Sequence, residues 1–97
     1  KVILNEKTID LMSRCWTKGL NETRGLGWIT KGTYPAMGDL SSDQAIFHTG
    51  FTGTSILIDR KYKIGFILLT NRVHPTRENL KIVKLRCNLH NIALSCA

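Results

Sequence analysis

The residues best suited to chemistry lie near the middle of the chain, where two threonine–glycine pairs flank an aromatic residue. Residues 47–55 read Phe-His-Thr-Gly-Phe-Thr-Gly-Thr-Ser. The glycines at 50 and 53 leave the backbone uncovered, so a ligand or another strand can approach closely. Small hydroxyls beside bare amides at the end of a strand suit a site for an oxyanion or a carboxylate. A β-bulge is the structural alternative for the same pattern.

The same stretch resembles a known motif, and its flanking segments match in the expected order. His-Thr-Gly at 48–50 resembles the third motif, Lys/His-Thr-Gly, of the penicillin-binding protein and serine β-lactamase superfamily. Gly-Leu-Gly-Trp at 25–28 precedes it, and Leu-Leu-Thr-Asn-Arg-Val-His-Pro at 68–75 follows it. The chain therefore resembles the C-terminal part of a class-C-β-lactamase-like serine hydrolase, the branch that includes esterases and D-amino-peptidases.

This resemblance implies catalytic roles for His48, Thr49 and Phe51. His48 would stand where the motif lysine stands, and would tune the proton network or contact a substrate carboxylate. Thr49 would direct its hydroxyl at the substrate, and Phe51 would give its backbone N–H to the oxyanion hole. Gly50 and Thr76 would bind the substrate. The structural alternatives are a hydrogen-bonded strand histidine for His48 and a helix cap for Thr76.

Two of the three family motifs are absent from this sequence. The family nucleophile is the serine of Ser-x-x-Lys, and the second motif is Tyr-x-Asn or Ser-x-Asn. None of the serines has a lysine three residues on, and neither tyrosine has an asparagine two residues on. The isolated chain is therefore expected to be inactive, because the covalent route needs the nucleophile.

The resemblance implies that the complete protein hydrolyses a small ester, amide or peptide through an acyl-enzyme. A non-catalytic, truncated module for binding or assembly is the alternative. The chain has 97 residues and does not begin with methionine, so we expect residues 1–97 to be one C-terminal fragment of such a domain.

Charge and hydropathy exclude two classes of partner. The net charge is +7, but the basic residues are spread along the chain, and nucleic-acid binding needs a concentrated basic stripe. The longest apolar run, residues 64–69, is far too short to span a membrane. A positive site would still favour anionic substrates by electrostatic steering.

The cysteine pattern predicts neither a disulfide framework nor a metal site. Cys15, Cys87 and Cys96 are an odd number and form no Cys-x-x-Cys, which weakly indicates a reducing compartment, although members of the resembled family are often secreted. Cys87 and His90 lie one helical turn apart, but structural zinc needs four ligands. Nothing local supports pairing Cys15 with His48 as a nucleophile and its base. No cofactor is predicted.

The predicted elements form an α+β fold that would hold the motif at the end of a strand. Strands are predicted at 25–30, 45–59 and 64–71, with a four-residue hairpin at 60–63 and a long loop at 31–44 that could wall a cleft. They give a three-stranded antiparallel sheet, part of a larger β-lactamase-like sheet. The last strand is almost continuously apolar, so we expect it to be central.

An N-terminal helix and a long C-terminal helix should flank this sheet. Asn5 can cap a helix through about Cys15, with Met12 and Trp16 in the core and Gly19 ending it. After Pro75, Thr76 can cap the second helix. Its apolar stripe would comprise Ile82, Leu85, Leu89, Ile92 and Cys96, and Leu80, Val83, Cys87 and Leu94 would widen this apolar side.

The sheet of the resembled family has further strands, supplied by the N-terminal part of the domain. A sheet without them has an unpaired edge, and unpaired edges recruit other chains. We therefore expect this chain to pair with its own N-terminal portion or to self-associate.

Overall fold

A four-stranded antiparallel sheet forms the centre of the structure. The computed structural model describes residues 2–32, 34–76, 78 and 80–96. The strands lie across the sheet in chain order: β1 (Ile29–Thr30), β2 (Ala45–Thr49), β3 (Ser55–Asp59) and β4 (Ile64–Leu68). The α+β class is therefore confirmed, with four strands in place of the predicted three.

Two helices and a short 3₁₀ turn accompany the sheet. They are α1 (Glu6–Ser13), the 3₁₀ turn (Pro35–Met37) and α2 (Ile82–Ser95). Within the described ranges, neither helix combines the length and the apolar character that crossing a membrane requires.

The segment 45–59, predicted as one strand, is a hairpin of β2 and β3. The chain reverses at residues 50–54, where the Gly50 N–H donates to the Thr54 carbonyl at 2.8 Å and the Gly53 N–H donates to the Gly50 carbonyl at 3.1 Å. Gly53 has a φ of +100°, which side-chain-bearing residues rarely adopt. Gly53 therefore allows a tight turn. This turn divides the predicted strand into β2 and β3, which is why the sheet has four strands.

Strand β4 lies at the edge of the sheet, so its predicted central position is wrong. Among the described residues it pairs with β3 alone. Ile67 is 65% exposed and the following Leu69 is 79% exposed. A continuously apolar strand can be covered on both faces, but among the described residues the core packs against the face that carries Phe66, and Ile67 on the other face is exposed.

The core lies between one face of the sheet and α2. Phe47 of β2 and Leu57 of β3 are opposite each other and almost fully buried. The His90 ring of α2 meets Phe47 edge to face at 5.3 Å and Phe66 of β4 at 5.4 Å. Because side chains alternate along a strand, Ile46 and His48 face the other way.

Helix α2 docks through a face that shares only Ile82 and Leu94 with the predicted apolar side. Its buried residues are Ile82, Arg86, His90 and Leu94, each four positions after the last. Leu85 and Ile92 of the predicted stripe are 45% and 60% exposed. Two polar residues thus occupy the face that docks on the sheet.

Thr76 does not cap this helix, contrary to prediction. The helix begins at Ile82, and Lys81 occupies its cap position. The Thr76 hydroxyl instead accepts a hydrogen bond from the Glu78 N–H at 3.3 Å. Thr76 thus shapes a local turn before the helix.

Helix α1 is capped as predicted but contributes nothing to the core. The Asn5 side chain accepts a hydrogen bond from the Thr8 N–H at 2.9 Å. The helix ends at Ser13, well before Gly19, and buries no residue. Trp16 is 52% exposed, so its predicted core position is wrong. The Trp16 indole instead donates to the Leu11 carbonyl at 2.8 Å.

Of the strand predicted at 25–30, only Ile29–Thr30 forms a strand, β1. The two glycines before it have different roles. Gly25 packs closely, as predicted: a Cβ there would collide with the Met12 carbonyl. Gly27 has a φ of +78° and open space around it, so it forms a turn. The Arg24–Ile29 bridge closes that turn.

The loop at 31–44 is confirmed as a loop and is held to the sheet by the Asp59 carboxylate. Asp59 is fully buried and accepts hydrogen bonds from the Ser42 N–H at 2.7 Å and the Ser42 hydroxyl at 2.6 Å. It also accepts one from the Lys61 N–H at 3.1 Å, which shapes the predicted hairpin at 60–63. One carboxylate therefore fixes both connections.

The buried imidazole of His90 is held in one tautomer. Its Nδ1 lies 2.8 Å from the Ala36 carbonyl, so Nδ1 donates and Nε2 is left to accept from the Ser55 hydroxyl at 3.5 Å. Burial lowers the pKa of His90, backbone contacts with Ala36 and Met37 oppose this, and the Arg86 cation lowers it further. The folded chain therefore favours the neutral ring.

This pKa shift predicts a pH-dependent stability. Below about pH 6.5, the ordinary pKa of histidine, the unfolded chain binds a proton that the folded chain resists. The free energy of unfolding should therefore fall as the pH is lowered, by at most about 1.4 kcal/mol per pH unit from this residue. Above that pH the ring is neutral in both states and contributes no slope. Urea unfolding between about pH 5.5 and pH 7.5 measures the effect.

Two single variants test whether His90 is the cause. His90→Gln should flatten the pH dependence, whereas His48→Gln should leave it in place, because the side chain of His48 is exposed. An equal slope in the wild-type chain and in His90→Gln would contradict the prediction.

Candidate functional site

The His-Thr-Gly motif lies at the end of β2, where the hairpin with β3 fixes its register. Thr49 pairs with Ser55, and Phe47 pairs with Leu57 two positions earlier. The buried Phe47 ring anchors the strand, so the alternation of side chains turns His48 outward. His48 is exposed, and Thr49 and Gly50 are half-buried.

Two grooves meet at Thr49 and Gly50. The first, the His48 groove, has a volume of about 300 Å³ and runs along the outer face of the sheet. Its walls include His48, Thr49, Gly50, Ile56, Ile67 and Leu69. The second, the Arg86 groove, also has a volume of about 300 Å³. Its walls include Tyr34, Thr49, Gly50, Phe51, Arg72 and Arg86.

The predicted site residues are therefore only partly brought together. Thr49 and Gly50 line both grooves, while His48 lines the first and Phe51 the second. Thr76 lines neither groove and is exposed. The motif forms a ridge between two concave surfaces.

The His48 ring is oriented by the backbone next to it. Its Nδ1 lies 3.0 Å from the Thr49 carbonyl, and a carbonyl only accepts, so Nδ1 carries the proton in the neutral ring. The Nε2 lone pair then faces away from this contact. A neutral ring in this tautomer offers a base or a hydrogen-bond acceptor at the mouth of the groove.

Phe51 is exposed but firmly held by Arg72. The Arg72 guanidinium lies over the Phe51 ring, 4.9 Å from its centroid, and Nε donates to the Phe51 carbonyl at 2.8 Å. The Arg72 N–H donates to the Thr52 carbonyl at 2.7 Å. No acceptor for the Phe51 N–H is found in the part of the chain that the structure describes. This amide is therefore open to a ligand.

The two glycines of the turn make this arrangement possible. A Cβ at Gly50 would collide with the Thr54 hydroxyl. A Cβ at Gly53 would collide with the Thr70 hydroxyl and approach the Arg72 Cγ to 2.8 Å. Gly53 also has the positive φ that favours glycine, so a side chain there would open the turn.

From the core side, Arg86 of α2 holds the same turn. Its guanidinium donates to the carbonyls of Gly53 at 3.3 Å, Thr54 at 3.2 Å and Gly50 at 3.4 Å. Arg86 is only 4% exposed. The ion pairs found among the described residues, Arg24 with Glu22 and Arg60 with Asp10, both lie at the surface. Carbonyl oxygens, and no carboxylate, therefore satisfy this buried cation.

Ser55 and His90 form a serine–histidine pair, but their position does not suit catalysis. The Ser55 hydroxyl lies 3.5 Å from His90 Nε2. Ser55 is 5% exposed and His90 is fully buried beneath Phe47 and Phe66. Ser55 lines the His48 groove, but its nearly buried hydroxyl faces the buried His90 ring, so we assign the pair to the core.

The geometry does not assemble Cys87 and His90 as metal ligands. Both ring nitrogens of His90 face protein atoms, and the Cys87 sulfur lies 3.9 Å from the Asn91 amide nitrogen. Among the described residues, no group of three or more His, Cys, Asp or Glu side chains could hold a metal ion. The three cysteines are free thiols.

Sequence reasoning missed the two arginines that shape the site. For Arg86 a signal exists: Arg86 and His90 are four apart, and Ile82 and Leu94 continue the same spacing at either end. A polar pair in such a row indicates a docked face with internal hydrogen bonds. For Arg72 no local signal distinguishes it from a surface cation.

Comparison with known proteins gives a consistent result. The family model described as Beta-lactamase matches residues 5–86. The chain is 36% identical over 75 residues to N-acetylmuramyl-L-alanine amidase of Bacillus subtilis. It is 34% identical over 83 residues to a protein of Salmonella paratyphi B provisionally named D-alanyl-D-alanine carboxypeptidase. No solved structure matches the chain.

These matches cover most of this chain but a small part of each relative. They span 74% and 82% of the chain, against 17% and 19% of the amidase and the carboxypeptidase. The chain therefore corresponds to about a fifth of the length of these curated relatives.

Removing the Arg86 guanidinium should loosen the turn that presents the motif. Arg86→Met keeps most of the stem but removes three hydrogen bonds, and the Gly53 carbonyl then loses the donor found for it among the described residues. We expect the free energy of unfolding to fall by about 2–4 kcal/mol, as for other broken buried networks. Urea unfolding measures this change.

Arg60→Met is the matched control. Arg60 pairs with Asp10 at the surface, so its loss should change the free energy of unfolding by less than about 1 kcal/mol. Equal losses of unfolding free energy in the two variants would show that the buried Arg86 contacts stabilise the fold no more than a surface ion pair does.

Proposed function

This chain belongs to the beta-lactamase family, and on that premise we propose that it is the C-terminal sheet-and-helix part of a serine hydrolase. The complete protein would cleave an ester or an amide through an acyl-enzyme. This part would supply the His-Thr-Gly wall and one donor of the oxyanion hole. The observation that carries the proposal is the open Phe51 N–H beside an accessible motif.

Accessibility of the motif supports this role. Had Thr49 and Phe51 been sealed beneath packed side chains, a substrate could not reach them. Instead Phe51 is 65% exposed and Thr49 lines both grooves. Gly50 lies between them and adds no side chain. A substrate carbonyl resting on this ridge would meet amides and a hydroxyl before any bulky group.

The proposed chemistry is polarisation of an acyl group. The Phe51 N–H would donate to the carbonyl oxygen as negative charge develops there, and the second donor would be the N–H of the nucleophilic serine on another segment. Thr49 would donate its hydroxyl to the substrate. Donors already held in place need no reorganisation during the reaction, and the Arg72 and Arg86 contacts hold this turn.

His48 is proposed to tune proton transfer on the outer side of the ridge. Its exposed ring would exchange protons with the reacting groups, and in its charged form it would contact a substrate carboxylate. Gly50 and Thr76 remain proposed substrate contacts. For Thr76 this requires a substrate that extends beyond the grooves, because the hydroxyl already accepts from Glu78.

Peptide-type substrates fit the proposal best among those considered. The relatives are named for an amidase and a carboxypeptidase, both of which act on amide bonds. Two arginines line the groove beside Phe51, and the net charge of the chain is +7. A substrate with a carboxylate would be attracted to such a site.

The missing nucleophile would come from a partner segment that completes the sheet. Strand β4 pairs on one side only among the described residues, and Ile67 and Leu69 beside it are exposed. We propose that an N-terminal portion of the same protein adds a strand there, or that the chain self-associates when that portion is absent. A non-catalytic binding module is the second candidate, and the same unpaired edge favours it.

Complementation distinguishes the two candidates. The chain is mixed with an N-terminal portion of the same protein that carries Ser-x-x-Lys, and hydrolysis of a chromogenic ester or a D-alanyl-D-alanine peptide is followed. We expect activity from the mixture and none from either piece, because each lacks part of the catalytic set. Size-exclusion chromatography of the mixture shows whether the pieces bind.

Binding of the two pieces without hydrolysis would support the non-catalytic module. The matched control replaces the Ser-x-x-Lys serine by alanine in the N-terminal portion. That variant should still bind but should remain inactive. Activity of this control, or of the chain alone, would contradict the proposed division of roles.

Substitution of His48 tests the proposed wall in the complete protein. His48→Gln should lower kcat/KM by about 10²-fold, the smaller end of the range for a lost acid–base group. His48→Lys should recover activity, because lysine occupies this position in the other form of the motif.

His74→Gln serves as the control, since His74 is exposed and lies outside both grooves. Thermal melting of all three variants should match the parent protein. An unchanged kcat/KM in His48→Gln would leave His48 as a structural strand residue.

A further inference from the structure

Four oxygen atoms of the 31–44 loop converge on one ammonium group. The Lys31 Nζ lies 3.0 Å from the Gly38 carbonyl, 2.9 Å from the Ser41 carbonyl and 2.8 Å from the Ser41 hydroxyl. The Asp39 carbonyl is a fourth acceptor at 3.3 Å. Lys31 directly follows β1, so its side chain crosses the loop to reach residues 38–41. The acyl-transfer proposal makes no use of these contacts.

The 38–41 turn is also held by contacts that do not involve Lys31. Gly38 has a φ of +99°, and a Cβ there would approach the Asn91 Oδ1 to 2.8 Å. The same Asn91 oxygen accepts a hydrogen bond from the Leu40 N–H at 3.0 Å. The Ser41 hydroxyl donates to the Gly38 carbonyl at 2.7 Å, which leaves its lone pairs for Lys31. The fold of the turn itself therefore brings these oxygens together.

The oxygen set suits a monovalent cation. Lys31 takes part in neither of the ion pairs found among the described residues, so uncharged oxygens surround its ammonium. Magnesium and calcium ions bind oxygens at about 2.0–2.1 Å and 2.3–2.6 Å and use carboxylates, whereas the oxygens here lie 2.8–3.3 Å from Nζ. Carbonyl oxygens in a ring can replace the hydration shell of a potassium ion.

We propose that the 38–41 turn is a monovalent-cation site whose resident cation is the Lys31 ammonium. When this side chain is cut back, a free potassium or ammonium ion takes its place among the same oxygens. In the wild-type chain free ions are excluded, because a covalently attached cation has an effective concentration far above theirs.

The resident cation positions one wall of the Arg86 groove. Tyr34 lies in the segment between Lys31 and the turn, and it lines that groove. In the same segment the Ala36 carbonyl contacts His90 Nδ1 at 2.8 Å. Lys31 is thus a positioning residue, since it closes the loop that carries these groups.

Two substitutions at Lys31 separate the cation site from the side chain that fills it. Lys31→Ala removes the ammonium and leaves its space open, while Lys31→Met fills that space with an uncharged chain of nearly the same length. Urea unfolding is measured in potassium, ammonium, sodium and choline chloride at equal ionic strength, so that general screening is constant. Lys84→Ala is the matched control, because it removes the same charge from an exposed position on α2.

Both Lys31 variants should raise the unfolding equilibrium constant at least about tenfold in choline chloride, as expected for lost hydrogen bonds to a charged group. Potassium or ammonium at about 0.3 M should lower it again about tenfold in Lys31→Ala, which corresponds to a dissociation constant of about 30 mM. Sodium should act more weakly, because a smaller ion contacts these oxygens poorly. Lys31→Met, Lys84→Ala and the wild-type chain should unfold equally in potassium and choline.

Amide hydrogen exchange locates the bound ion. Peptides that cover residues 38–44 should exchange faster in Lys31→Ala than in the wild-type chain when both are in choline chloride. Potassium should restore their protection in Lys31→Ala. Peptides from α1 should show no such change, which distinguishes an ion bound at the turn from a general effect on stability.

Three results would overturn the proposal. The first is a Lys31→Ala chain that potassium and ammonium stabilise no more than choline does, including one that stays unfolded in all of these salts. The second is an equal potassium effect in Lys31→Met or Lys84→Ala, which would show a non-specific action of the salt. The third is stronger stabilisation of Lys31→Ala by calcium than by potassium. No step measures hydrolysis, so the outcome is independent of the proposed acyl transfer.

Discussion

The buried guanidinium of Arg86 is the constraint on which the arrangement of this chain depends. A cation that is 4% exposed must have its donors satisfied, because burying it unbonded costs several kcal/mol or more. The carbonyls of Gly50, Gly53 and Thr54 provide that satisfaction. These contacts position α2 on the sheet and, at the same time, hold the turn that follows the His-Thr-Gly motif.

The sheet divides the motif between two environments. Phe47 faces α2 and meets the His90 ring, while His48, the next residue, faces the outer groove. The backbone between them cannot rotate without moving a fully buried aromatic ring. A strand that is anchored on one face thus presents its next side chain in a fixed position on the other. Arg72 then braces Phe51 on the far side of the turn.

The chain corresponds to only part of the length of its relatives, and it holds similar polar groups in two different surroundings. Its family relatives are about five times longer, and their names refer to amide-bond chemistry. Within the described residues one ridge carries the unpaired Phe51 N–H, the Thr49 hydroxyl and His48. The serine–histidine pair that it also contains lies inside the core, where it satisfies buried polar atoms. Position relative to solvent, and not residue type, separates these two sets of groups.

The sequence by itself determined the features that depend on neighbouring residues. The Asn5 cap, the 60–63 hairpin, the 31–44 loop and the strand character of Ser55–Asp59 follow from local chemistry and were predicted correctly. Only the tertiary structure decided which surfaces are covered. The α2 sequence contains two possible docking faces: the predicted apolar stripe, and the face with Arg86 and His90. The second face is buried because carbonyl groups and the Ser55 hydroxyl lie where these two side chains can bond to them. Likewise, an apolar pattern shows that β4 can be covered on both faces, but burial requires neighbouring side chains. Among the described residues, the core covers the face with Phe66 and leaves Ile67 exposed.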